Sequence, residues 1–153
     1  VPLAQEDHRT LTLPKVRGLV VPAWQARDID ELTAFIDTHT QKDEPVFMFP
    51  ELGGYSFVVD RPFVSRFPMV TFSWINENWH KELVKDLRYI QPRFVILAKD
   101  PGPTFEKAYF KIPSNKQHYD EVMHYIHDHY VIVDSTPSLI IYKRREGRPD
   151  RIS

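Results

Sequence analysis

The sequence predicts an α/β domain: a mostly parallel, Rossmann-like sheet with helices packed on it and an antiparallel C-terminal hairpin. Three observations carry this. Short continuous apolar runs, Val46-Phe47-Met48-Phe49 and Phe94-Val95-Ile96-Leu97, read as strands buried on both faces. Segments with apolar residues at helical spacing separate such runs between residues 28 and 134, and that alternation is how parallel sheets are built. Finally, only five residues separate Val131-Ile132-Val133 from Leu139-Ile140-Ile141-Tyr142, which fits an antiparallel hairpin.

Residues 1–27 hold Pro2, Pro14 and Pro22, which argue against a helix and for an extended arm or one short strand. Asp28 followed by Glu31 has the form of a capping box. Ile29, Leu32, Phe35 and Ile36 then recur at helical spacing, predicting a helix over 29–38. Pro50-Glu51-Leu52-Gly53-Gly54 breaks the first buried strand, and Tyr55–Val59 is predicted as a helical turn or two. Met69-Val70-Thr71-Phe72 reads as a second strand. Asn76 is an N-cap, and Trp79, Leu83, Val84, Leu87 and Ile90 form an apolar stripe that Pro92 ends, predicting a helix over 76–90. Residues 98–114 hold three prolines and read as a loop. Tyr119, Val122, Met123 and Ile126 mark a third helix over 116–129. The final strand is expected at the sheet edge. The organisation predicted is an N-terminal arm (1–27), one α/β domain (28–145) and a flexible basic tail (146–153).

Composition narrows the function classes. The chain has 153 residues, 42% hydrophobic and 27% charged, which fits a soluble globular protein with a core of its own. A formal charge of −1 gives no global electrostatic case for nucleic acid. With no cysteine, disulfide scaffolds, Cys-ligated zinc and thiol catalysis are excluded. No run of 18 apolar residues is present. A chain that starts at Val1 is expected to be processed or cut from a longer polypeptide.

The candidate sites are soft. Glu51-Leu52-Gly53-Gly54 follows a buried strand, where open α/β sheets bind ligands, yet it matches neither dinucleotide nor P-loop spacing and fits an ordinary tight turn. His118, His124, His127 and His129 crowd one helix with Asp120 and Asp128, without a metal-ligand motif, as a solvated helix face would. The acidic residues Glu51, Asp60, Asp100, Glu106 and Asp134 are scattered, and only the fold decides which of them meet. No serine sits in a nucleophile elbow. Trp24, Trp74 and Trp79, with the Phe and Tyr residues, suit core packing first and a sugar-binding surface second. Lys143, Arg144, Arg145, Arg148 and Arg151 in the tail fit a frayed terminus or contact with anionic lipid.

The order of short motifs adds a resemblance. Asp28-Ile29-Asp30-Glu31-Leu32-Thr33-Ala34-Phe35-Ile36 precedes Glu44-Pro45-Val46-Phe47-Met48-Phe49-Pro50, then Gly53-Gly54-Tyr55-Ser56-Phe57 and the turn Asp60-Arg61-Pro62. Leu87-Arg88-Tyr89-Ile90-Gln91-Pro92-Arg93-Phe94-Val95-Ile96-Leu97 follows, then His129-Tyr130 and Ile141-Tyr142-Lys143-Arg144-Arg145. Over residues 16–145 this resembles the C-terminal soluble domain of bacterial polytopic glycosyltransferases of the dolichyl-phosphate-mannose-protein mannosyltransferase type. The resemblance implies an appendage on the extracytoplasmic face, beside the transmembrane portion of the same polypeptide. It would help acceptor recognition or stability in an enzyme that uses a lipid-phosphate-linked sugar. The family's catalytic acids lie in its membrane portion, so no catalytic residue, metal or cofactor is assigned here. The candidate contact surface is the carboxyl end of the first buried strand: Glu51, Gly53, Gly54 and Tyr55, with Asp60, Arg61 and Arg66 close in sequence. Two readings stand beside it: an envelope protein-interaction or sugar-binding module, and a stand-alone α/β ligand-binding enzyme.

Overall fold

Two short strands begin the described chain, where the sequence suggested an arm or a single strand. In the computed structural model, which describes residues 7–147, β1 (His8–Thr10) pairs antiparallel with β2 (Val20–Pro22). A 3-10 turn at Pro14–Val16 lies between them. Leu11 and Val16 pack this hairpin onto Ala26 and Ile29 of the first helix, α1 (Ala23–His39). α1 begins directly after Pro22, not at Asp28. A proline ahead of a helix sacrifices no intrahelical hydrogen bond. Asp28 is therefore an interior helix residue, and it is fully buried, at 0% exposure.

β3 (Phe47–Phe49) leads through a cis Phe49–Pro50 peptide to α2 (Gly53–Val59). The strand predicted at 69–72 is instead a 3-10 helix, Val70–Ile75. Its apolar residues Val70 and Trp74 still reach the core. α3 (Glu77–Ile90) starts where the sequence placed it, with Asn76 Oδ1 accepting from Asn78 N at 2.8 Å. It ends at Gln91, left-handed at φ 50°, ahead of Pro92. The buried face differs from the predicted stripe. His80, Leu83 and Leu87 are buried, whereas Trp79 and Ile90 are exposed.

β4 (Phe94–Ala98) follows. The predicted loop at 98–114 contains a helix, α4 (Gly102–Tyr109), and the start of α5 (Pro113–His129). Both carry proline in the first helical positions, where its missing N–H is harmless, so those prolines start helices here. β5 (Tyr130–Ser135) and β6 (Leu139–Arg144) complete the described fold. Of the predicted tail 146–153, residues 148–153 lie outside the described residues.

The main sheet has the order β3-β4-β6-β5. β3 and β4 pair in parallel, with Phe47 opposite Val95 and Phe49 opposite Leu97. β6 pairs antiparallel with both β4 and β5. The sheet is thus mixed rather than mostly parallel. β3, β4 and β5 still point the same way, because β6 inserts as an antiparallel strand between β4 and β5. The last strand is interior, and β5 is an edge opposite β3, a reversal of the expectation. Both strands read equally apolar, but Leu139, Ile141 and Tyr142 of β6 are buried, while only Tyr130 of β5 is. Coverage by helices chose between them.

Alternation along β4 divides the core. Phe94 and Ile96, with Leu139 and Ile141, face α1 and α2 through Leu32, Ile36 and Val59. Val95 and Leu97, with Phe47 and Phe49, face α3 and α5 through Leu83, Leu87, Val122 and Ile126. Each such buried side chain contributes about 1.5–3 kcal/mol. The result is three layers, helix–sheet–helix, with the carboxyl ends of β3 and β4 side by side.

A candidate ligand-binding cleft

Those adjacent strand ends open into a cleft of about 590 Å³. It is bounded by the first turn of α1 (Trp24, Gln25), the segment after β3 (Glu51, Leu52, Tyr55), the segment after β4 (Asp100, Pro101) and one side of α4 (Phe105, Tyr109). Ser138, in the β5–β6 turn, closes one side. Such strand-end crevices are where open α/β sheets hold ligands.

Glu51, Tyr55, Asp100, Tyr109 and Ser138 on the cleft each have a hydrogen-bond partner. Glu51 Oε1 accepts from Thr71 Oγ1 at 3.0 Å and from the hydroxyl of Tyr109 in a very short bond. That bond, followed by burial, raises the Tyr109 pKa above the usual phenol value. Tyr55 donates its hydroxyl to Asp28 Oδ2 at 2.8 Å. Burial, then this bond, pushes the Tyr55 pKa far up. Asp28 Oδ1 accepts from Thr136 Oγ1 at 2.6 Å and from Ser138 N at 2.8 Å, and Oδ2 also accepts from Ser138 Oγ. One buried carboxylate thereby ties α1 to α2 and to the β5–β6 turn, and fixes two residues of the cleft wall. Asp100 Oδ1 accepts from Gly102 N at 2.8 Å and steadies the entry to α4.

The sequence-predicted contact residues divide. Glu51 and Tyr55 line the cleft, and Gly53 and Gly54 open α2 beside them. Neither glycine adopts positive φ, and a Cβ on Gly53 would meet Met69 Cγ at an ordinary 3.7 Å. Asp60, Arg61 and Arg66 are not part of the cleft. Asp60 caps α2 in the left-handed region and pairs with Lys15 at 2.9 Å, which lowers its pKa. The Arg61 side chain, only 2% exposed, bonds Thr40 Oγ1 at 3.0 Å, Asp37 Oδ1 at 3.1 Å and the Val59 carbonyl at 3.2 Å. It clasps the end of α1 to the end of α2. Arg66 bonds Glu82 at 3.0 Å and lies over the rings of Phe67 and Trp79.

Sequence reasoning missed Asp28, Phe105, Tyr109 and Ser138 as site residues, and named Trp24 only among aromatics suited first to core packing and second to a sugar-binding surface. Asp28 looked like a cap, and Phe105 and Tyr109 lay in a presumed loop. Of the scattered acids, the fold brings Glu51 and Asp100 to one cleft. Of the tryptophans, Trp74 is core, while Trp24 is 45% exposed on the cleft. The helix α5 histidines do not converge: His118 turns inward to stack on His80, and His124 pairs with Asp128 at 3.2 Å. Among the described residues, no group of three or more His, Asp or Glu is placed to hold a metal ion.

The ionisable side chains of the cleft are two carboxylates and two phenols, with no Lys, Arg or His on its walls. Among the described residues, no helix is long and apolar enough to cross a membrane. The chain matches no protein-family model, and no curated protein is significantly similar to it.

Proposed function

We propose that this chain is the noncatalytic domain of a bacterial membrane glycosyltransferase that uses a lipid-phosphate-linked sugar, placed at the extracytoplasmic face, where its cleft helps to recognise the acceptor. The observation that carries the reading is the strand-end cleft itself: an aromatic wall with two carboxylates and no nucleophile–base pair. A domain of that make-up recognises a ligand and leaves chemistry elsewhere. The resemblance in the order of motifs from Asp28 to Arg145 supports the family and the cellular face in this reading. The Rossmann-like element of the reading rests on β3, β4 and β5 sharing one direction, with the cleft at their carboxyl ends.

Two measurements test this. The first is the reading frame around the chain. Several apolar segments of about 20 residues upstream support the assignment, and a start codon immediately before Val1 with no such segment overturns it. The second is an assay of the isolated chain with polyprenyl-phosphate sugars and a range of acceptors. Turnover clearly above a buffer blank overturns the noncatalytic role.

A further inference from the structure

We infer that the cleft takes an uncharged pyranose ring and excludes the anionic groups of a glycosyl phosphate. This inference deepens the reading above and rests on it for the sugar-handling context. Its physical basis is the character of the cleft wall. Trp24, Tyr55 and Tyr109 present aromatic surface, with Phe105 buried behind them, and Glu51 and Asp100 present carboxylates. Ionised carboxylates only accept hydrogen bonds, so the ligand must bring donors. Glu51 is fixed through Oε1 by Thr71 and Tyr109, and its Oε2 accepts nothing from the described residues. Asp100 is likewise fixed through Oδ1 by Gly102 N, with Oδ2 left over. Two acceptor atoms are thus held in place in advance, which lowers the entropy cost of binding.

A pyranose supplies what is missing. Its hydroxyls donate to the two carboxylate oxygens, and its C–H face covers an aromatic ring. Neither Glu51 nor Asp100 is in an ion pair among the described residues, and no cationic side chain lines the wall. A phosphate or carboxylate placed there meets like charge with no cationic side chain to offset it, which is expected to weaken its binding about tenfold. The cleft therefore reads the sugar and leaves a lipid phosphate outside it.

The test titrates the 153-residue chain with a methyl hexopyranoside, a hexose 6-phosphate and n-butylamine. Saturation-transfer NMR reports on the ring protons, and tryptophan fluorescence reports on Trp24 by comparison with a Trp24→Phe variant, because Trp74 and Trp79 also emit. The glycoside is expected to receive saturation, with the phosphorylated hexose bound at least about tenfold more weakly and butylamine failing to displace the glycoside. Glu51→Gln and Asp100→Asn keep side-chain shape, so melting should hold. Each should weaken the glycoside by about threefold to tenfold, as expected for a lost charge-assisted hydrogen bond. Three results overturn the inference: no saturation of the glycoside, equal or tighter binding of the phosphate, or displacement by butylamine, which would make the carboxylates a simple cation sink. Because none of these depends on the reading frame, the inference and the domain assignment fail separately.

Discussion

Two buried polar clusters lie on opposite faces of the same sheet, and they are built to different standards. On the α1 face, Asp28 is completely buried, yet its carboxylate receives bonds from Tyr55, Thr136 and both the backbone and hydroxyl of Ser138. On the other face, His80 of α3 and His118 of α5 stack with ring centroids 3.8 Å apart. His80 Nε2 donates to Glu121 and His118 Nε2 donates to Glu77, each at 2.9 Å, so each helix offers a histidine to the other's glutamate. Since each carboxylate accepts from Nε2, the Nδ1 atoms are the ones left over. Both are buried without a partner among the described residues. The first cluster is a knot in which four donors satisfy one carboxylate. The second is half satisfied, with one ring nitrogen of each histidine left over. A buried charge is tolerated where every lone pair is used. A buried neutral imidazole with a bare nitrogen stores sensitivity to pH.

The contrast breaks first at Asp28. Asp28→Ala strands four donors at the junction of three elements and should cost about 3–5 kcal/mol, read as a lowered urea midpoint. A loss under about 1 kcal/mol would mean that the knot is decorative. Arg61→Ala, which opens the neighbouring clasp between α1 and α2, should cost about 2–3 kcal/mol. If it leaves melting untouched, Arg61 must be sought as a contact residue after all.

The histidine side is probed by pH. Burial lowers the His80 pKa below its ordinary 6.5, outweighing the opposite pull of Glu121. The unfolded chain therefore binds the proton more readily than the folded one, and stability rises with pH in that window. The contribution is complete above about pH 6.5 and is lost as the pH falls through the lower folded value. The charged and titratable groups facing the ring are His118, Glu121 and Glu77. Glu77 itself is held below its usual value, chiefly by its bond to His118. His80→Phe keeps a flat ring on His118 and removes the bare nitrogen. At pH 7.5 it should change stability by less than about 1 kcal/mol, and it should flatten the acid limb of the stability–pH curve. An acid limb as steep as that of the parent protein would take His80 out of the account.

The smallest effect belongs to the cleft. Glu51→Gln should leave melting nearly unchanged but lower the Tyr109 pKa, because the bond to the carboxylate is the largest cause of its rise. An ultraviolet titration that finds tyrosinate forming at the same pH in both proteins would contradict the Glu51–Tyr109 pairing.

What the sequence by itself determined was local. Asn76 capped a helix, Pro92 followed its end, and uninterrupted apolar runs at 46–49 and 94–97 became buried strands, because these signals act within a few residues. Glu51 and Tyr55 could be named as site candidates because strand ends in open sheets share one position. Tertiary structure decided the rest. It put β6 inside and β5 at the edge, although their side chains are equally apolar, because only the interior slot is covered by helices on both faces. It turned His80 inward and Trp79 outward on α3, since a one-residue rotation of the buried face hangs on what the neighbouring helix offers, here His118 and Glu121. It drew Asp28 from an apparent cap into a knot whose partners lie up to 110 residues away, a pairing that no local signal can encode because only the closed fold brings those donors together.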